Sequence, residues 1–163
     1  MTHYCLEKEI GELLLKNNLT LGLAESCTGG LIGNLITNVP GSSGYFIGGV
    51  IAYSNKMKIE MLGVSQKTLD MYGAVSEETA VEMAIGIRGA AIVDIGLAVT
   101  GIAGPEYGTE EKPVGTIYIV LSDGIETRCR RFCFEGTRLE IKAKTAENAL
   151  LILKNYLMEK YRG

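Results

Sequence analysis

Apolar positions Leu6, Ile10, Leu13 and Leu14 recur at helical spacing and predict an amphipathic helix over residues 4–17, ended by Asn17-Asn18. Leu21 and Leu23 then lead a short strand into the polar loop Ala24-Glu25-Ser26-Cys27-Thr28-Gly29-Gly30. Leu31, Leu35 and Ile36 predict a helix that stops near Pro40. A turn-rich stretch, residues 40–44, precedes an apolar, glycine-rich strand from Tyr45 to Tyr53. Ser54-Asn55 caps a helix from Lys56 to Leu62, and Ser65 and Ser76 are further cap candidates. Ser76, followed by Glu77 and Glu78, opens a long apolar helix through about Ala91, because acidic residues suit a helix N-terminus. Ile95 to Thr100 reads as a buried strand that runs into Gly101-Ile102-Ala103-Gly104-Pro105 and a polar loop to Lys112. Val114 to Ser122 and Thr127 to Phe134 form a predicted hairpin around the Asp123-Gly124 turn. Leu139, Ala143, Ala146, Leu150, Leu153 and Leu157 return to helical spacing over 137–160.

Strands and helices alternate early and a hairpin comes late, which predicts an α/β layered domain with a mixed sheet. A chain of 163 residues without repeats or linkers reads as one domain, 1–163. The apolar helix Val81 to Ile92 belongs to the core, but Gly86 and Gly89 on it would allow a close subunit contact, so a homo-oligomer, a dimer first, is expected. The net charge of −3 argues against a nucleic-acid partner. No apolar run reaches membrane-span length, and the charged N-terminus is not a signal peptide, so neither membrane nor export is expected. Cys5, Cys27, Cys129 and Cys133 lack paired spacing and read as free thiols of a reducing, cytoplasmic setting.

Absences narrow the chemistry. His3 is the only histidine and sits at an end, so a Ser–His–Asp or Cys–His arrangement lacks its base. Aspartate occurs only at 70, 94 and 123, each alone, and no cofactor and no metal is expected. Four segments stand out. In 24–30 a strand meets a polar, glycine-bearing loop and then a helix, which can present a hydroxyl and aim N–H groups at an anion; equally, Ser26 or Thr28 simply caps the helix. In 53–58 a lysine can serve as general base only if burial or nearby charge lowers its pKa. Lys56 and Lys58 are roughly 200° apart on a helix, so both cannot face one pocket. The 101–115 stretch can wrap a phosphate or sugar, or be an ordinary long turn. Arg138 in the first turn of the last helix opposes the helix dipole, and is either exposed or held for a phosphate.

Together these segments resemble the CinA C-terminal domain family, the PncC-type nicotinamide-nucleotide amidohydrolases. The matching text is AESCTGG at 24–30, PGSSGYFIGGVIAYSN at 40–55 with Lys58, LGV at 62–64, GAVS at 73–76, EMAIG at 82–86, VTGIAGP at 99–105, EKPVGT at 111–116, and Phe134 to Arg138. The likeness spans nearly the whole chain in order. It implies a three-layer α/β/α domain in its stand-alone form, hydrolysing nicotinamide mononucleotide to nicotinate mononucleotide and ammonia in pyridine-nucleotide recycling.

The resemblance points to Ser26 as nucleophile, Lys58 as base and Tyr53 as a helper that relays the proton or keeps the lysine neutral. Arg138 also falls on a family functional position. The N–H groups near Thr28, Gly29 and Gly30 are placed in sequence to donate to an oxyanion, and Gly101, Ala103 and Gly104 with Arg138 are candidate substrate- and phosphate-binding positions. Ser43 is the fallback nucleophile. The rival reading is a non-catalytic nucleotide- or partner-binding module that keeps the pocket without turnover. Two positions depart from the family pattern: Tyr107 stands where many members have glycine, and Thr137 where an acidic residue often precedes the arginine.

Overall fold

The computed structural model describes residues 2–161, with side chains from Leu6 onward. The side chains of His3 and Cys5 lie outside the described residues. Five strands make one sheet: β1 (Leu21–Glu25), β2 (Phe46–Ile51), β3 (Ile95–Gly101), β4 (Thr116–Ser122) and β5 (Thr127–Cys133). Their order across the sheet is β2-β1-β3-β4-β5. β1 runs parallel to both β2 and β3, while β3–β4 and β4–β5 pair antiparallel, so the sheet is mixed. Six helices accompany it: α1 (Thr2–Lys16), α2 (Leu31–Thr37), α3 (Asn55–Leu62), α4 (Gln66–Tyr72), α5 (Glu77–Ala91) and α6 (Arg138–Lys160).

Strand periodicity divides the core in two. Leu23, Leu97, Val99, Ile119 and Leu121 pack with residues of α1, α2 and α6, among them Ile10, Ile36 and Leu153. Ala24, Ala98, Tyr118 and Val120 pack with Met83, Ala84 and Ile87 of α5, and with Leu62 and Leu69 of α3 and α4. The result is three layers, helix–sheet–helix. β1 and β4 are buried along their whole lengths. The β5 edge carries Arg128, Arg130 and Arg131, charges that discourage pairing with another chain.

The layer holding α5 lies unusually close to its neighbours. A Cβ on Gly96 would come 2.3 Å from the Ala84 carbonyl oxygen. A Cβ on Gly86 would come 1.8 Å from the Leu62 carbonyl oxygen. Gly86 therefore serves the crossing of α3 and α5 inside the chain, not the subunit contact its sequence suggested. An added Cβ on Gly89 would meet nothing within 4 Å.

Serine caps behave as the sequence predicts at three helices. Ser54, Ser65 and Ser76 accept the N–H of Met57, Thr68 and Thr79. Thr137 and Glu140 form a reciprocal capping box at α6. α2 differs: neither Ser26 nor Thr28 caps it. Its N-cap is Gly30, and the buried Glu25 carboxylate accepts the N–H of Ile32 at 2.9 Å and of Gly33 at 3.0 Å.

This topology positions a site. From β1 the chain moves outward to β2 on one side and later to β3 on the other. The loops that leave β1 and β3 therefore diverge at their carboxyl ends and open a crevice there.

Candidate active site

Ser26 follows the last residue of β1. Its N–H donates to the Val99 carbonyl at 3.1 Å, which fixes it across the ends of β1 and β3. Lys58 lies one turn into α3, whose start is set by the Ser54 cap. The Ala52 N–H donates to the Glu25 carbonyl at 2.9 Å and extends the β1–β2 contact to the entry of that helix. The same turn that closes on Ser54 thus aims Lys58 back over the end of β1.

Lys58 is 1% exposed and Ser26 7% exposed. The Lys58 Nζ lies 3.1 Å from Ser26 Oγ, 2.9 Å from the Ala52 carbonyl oxygen and 3.2 Å from the Tyr53 carbonyl oxygen. The two carbonyls can only accept. In the neutral amine they take both N–H donors, and the lone pair is left facing the serine, whose O–H can donate to it. Burial lowers the Lys58 pKa, in the direction a general base needs. Lys56 points the other way, exposed and paired with Glu60 at 3.8 Å.

Cys27 also borders the cleft, and a thiol is the better nucleophile by type. Burial pushes its pKa up to about 12, so it stays protonated at neutral pH. The alcohol beside the lysine has no such handicap.

The cleft has a volume of about 280 Å³. Ser26, Lys58, Tyr53 and Arg138 line it, together with Gly101 at the end of β3 and Ala103 and Gly104 in the loop that follows. Arg138 donates from one terminal nitrogen to the Gly104 carbonyl at 2.6 Å and from the other to the Tyr53 hydroxyl at 2.9 Å. Tyr53 therefore touches Lys58 through its backbone carbonyl, while its hydroxyl faces the arginine.

Other predicted positions lie elsewhere. Thr28, Gly29 and Gly30 are outside the cleft lining. The Thr28 hydroxyl is buried and donates to Glu25 at 2.6 Å, and the Gly29 N–H donates to the Ser26 carbonyl at 3.1 Å. Ser43 is exposed on a short 3-10 turn, Ser42–Gly44, that precedes the amino end of β2, whereas Ser26 follows the carboxyl end of the parallel neighbour β1.

The sequence reading gave no role to three contributors. Glu25 organises the 26–33 turn from inside. Thr100 donates to the Ala74 carbonyl at 2.8 Å and draws the 73–76 loop, with Ala74 and Val75, onto the cleft. Glu106 adds a carboxylate to the rim. Each of these contacts joins residues too far apart in the chain for a local pattern to show it. Among the described residues, no group of three or more His, Cys, Asp or Glu is placed to hold a metal ion. Also among them, no helix is long and apolar enough to cross a membrane.

Known proteins resemble the chain along nearly its whole length. The chain is 50% identical over 153 residues to a CinA-like protein of Syntrophus aciditrophicus, covering 93% of this chain and 36% of that protein. It is 47% identical over 153 residues to a CinA-like protein of Geotalea uraniireducens, covering 94% of this chain and 36% of the relative. The chain thus spans little more than a third of the length of the curated relatives it matches. Among solved structures, the competence damage-inducible protein A (ComA) of Klebsiella pneumoniae superposes with a TM-score of 0.94 at 33% identity, covering 97% of this chain and 98% of that one. A competence/damage inducible protein of Agrobacterium tumefaciens superposes with a TM-score of 0.91 at 36% identity, covering 95% and 96%. A model of the CinA C-terminal domain matches residues 3–157, and the chain belongs to that family.

Proposed function

We propose that this cleft hydrolyses the carboxamide of nicotinamide mononucleotide to nicotinate mononucleotide and ammonia. The observation that carries the reading is the buried contact of 3.1 Å between Lys58 Nζ and Ser26 Oγ, with two carbonyls taking the amine's own protons. Lys58 takes the serine proton as Oγ bonds to the carboxamide carbon. The tetrahedral intermediate then collapses. Its C–N bond breaks, and Lys58 returns the proton to the departing nitrogen, which leaves as ammonia. Water attacks the resulting ester with Lys58 again as base, and the Ser26 oxygen recovers its proton as the carboxylate forms. No cofactor is needed for this balance. The arginine side of the cleft suits the substrate's phosphate, since a guanidinium retains donors beyond the two spent on Gly104 and Tyr53.

The assay is ammonia release from nicotinamide mononucleotide by purified protein in the presence of a chelator. Turnover is expected, and Ser26→Ala and Lys58→Ala should each lose about three orders of magnitude in kcat, because members of one catalytic unit fail together. Near-native turnover in either variant would remove that residue from the mechanism. A protein that binds the nucleotide and releases no ammonia would instead be a binding module.

A further inference from the structure

Arg138 is not the only cation near the start of α6. Lys142 follows it one turn later on the same helix face. Its ammonium nitrogen lies 3.7 Å from where a Cβ on Gly29 would stand, so it rests against the 26–30 loop. Its charge is felt by Cys27 in the cleft wall. Lys142 is half-buried, and among the described residues it makes no hydrogen bond or ion pair. Other lysines of this chain differ. Lys8, Lys56, Lys154 and Lys160 face carboxylates, while Lys112 and Lys144 donate to carbonyls.

Leaving the two cations without a counter-charge costs stability in two ways. Like charges four residues apart on a helix repel. Arg138 also sits in the first turn of α6, where the helix dipole disfavours cations. Arg138 is compensated in part by the Gly104 carbonyl and the Tyr53 hydroxyl, and Lys142 is not. A bound anion beside the 26–30 loop would relieve both costs at once.

We propose that Lys142 is a second anion-binding residue of this cleft, and that with Arg138 it takes the phosphate monoester of the substrate. The proposal rests on the amidohydrolase reading for the identity of the ligand, but not for the existence of the anion site. Lys142 is not itself in the cleft lining, but it rests against Gly29, two residues after Cys27, which is. The carboxamide would lie at Ser26, and the phosphate, at the far end of the ribose, would reach the α6 cations. Two cations from one rigid helix would then distinguish a nucleotide from the corresponding nucleoside.

The test compares Lys142→Gln with the unaltered protein on nicotinamide mononucleotide and on nicotinamide riboside, which lacks the phosphate. The variant should raise KM for the nucleotide roughly tenfold with little change in kcat, and leave the riboside parameters unchanged. Lys142→Arg should restore most of the nucleotide affinity. An unchanged KM for the nucleotide, or an equal loss on both substrates, overturns the proposal.

A second measurement separates this idea from the amidohydrolase reading: the rise in Tm caused by inorganic phosphate. The unaltered protein should gain, and Lys142→Gln should gain much less. If neither substrate is turned over, the amidohydrolase reading fails and the phosphate titration alone decides on Lys142. Equal gains in both proteins, or none in either, overturn it. Should Lys142→Gln fold poorly, Lys142→Met, which keeps the aliphatic stem, replaces it in both measurements.

Discussion

Lys58 is held by two acceptors that can never release a proton and one hydroxyl that can. In the proposed mechanism, that asymmetry lets a buried lysine act as base. Since burial lowers its pKa, kcat/KM should rise with pH along a limb centred below the ordinary lysine value of about 10.4. Lys58→Arg should abolish that limb together with activity, because a guanidinium does not deprotonate. Stability carries the same signature. The folded-state pKa lies below the unfolded one, so the fold bears an ammonium penalty at low pH that is relieved as pH rises toward the unfolded value. The Tm of Lys58→Met relative to the unaltered protein should therefore be highest near pH 6 and fall as pH approaches 10. A difference that does not vary with pH would mean the lysine is unperturbed. Tyr107 shows another residue-scale effect. Its φ of 69° is left-handed, a conformation that glycine adopts without strain, which accounts physically for the glycine many family members carry there.

Elements begin where local chemistry says they should, because a cap needs only its own next three residues. Ser54, Ser65, Ser76 and Thr137 were legible for that reason. Glu25 was not: its carboxylate reaches forward seven and eight residues to α2, beyond any capping pattern. Gly86 was misread for a related reason. On the helix it is a small residue with no stated neighbour, and only the crossing with α3 supplies the Leu62 carbonyl it must clear. Gly86→Ala should accordingly destabilise the protein by about 2 kcal/mol or more, despite alanine's better helix propensity of roughly 1 kcal/mol. Because α3 carries Lys58, the displaced helix should also lower kcat. Urea unfolding and an activity assay on the same preparation check both, and a gain in stability would show that the crossing can relax.

At the scale of the molecule, the far end of α6 is tied to the β4–β5 turn. The Asp123 carboxylate accepts the Tyr156 hydroxyl at 2.6 Å and the backbone N–H groups of Ile125 and Glu126 at 2.8 and 2.7 Å, and it pairs with Lys160. Burial alone would raise its pKa, but the hydrogen bonds from Lys160, Tyr156 and the two N–H groups outweigh this and hold it well below the usual carboxylate range. A carboxylate whose folded pKa is depressed stabilises the fold above its unfolded value near 3.9, and that contribution is lost as pH falls below it. Asp123→Asn should cost about 1–3 kcal/mol at pH 7 and distinctly less at pH 3, read from urea unfolding at both. Equal losses at the two pH values would contradict this account. The anchor matters for the site, since the same rigid helix presents Arg138 at its other end.

Hydrophobic spacing, caps and turn residues are short-range properties, and from them the sequence alone determined the strands, the serine-capped helices, the late hairpin and the α/β class. The lack of a usable histidine pointed equally early to a lysine base. Tertiary structure decided everything that depends on distance across the chain. It brought residues 26 and 58 to 3.1 Å, turned the Tyr53 hydroxyl to Arg138 and placed Thr28 to Gly30 outside the cleft. These are encounters between segments dozens of residues apart, and a side chain's pKa and partners follow from what surrounds it in space, which no local pattern encodes.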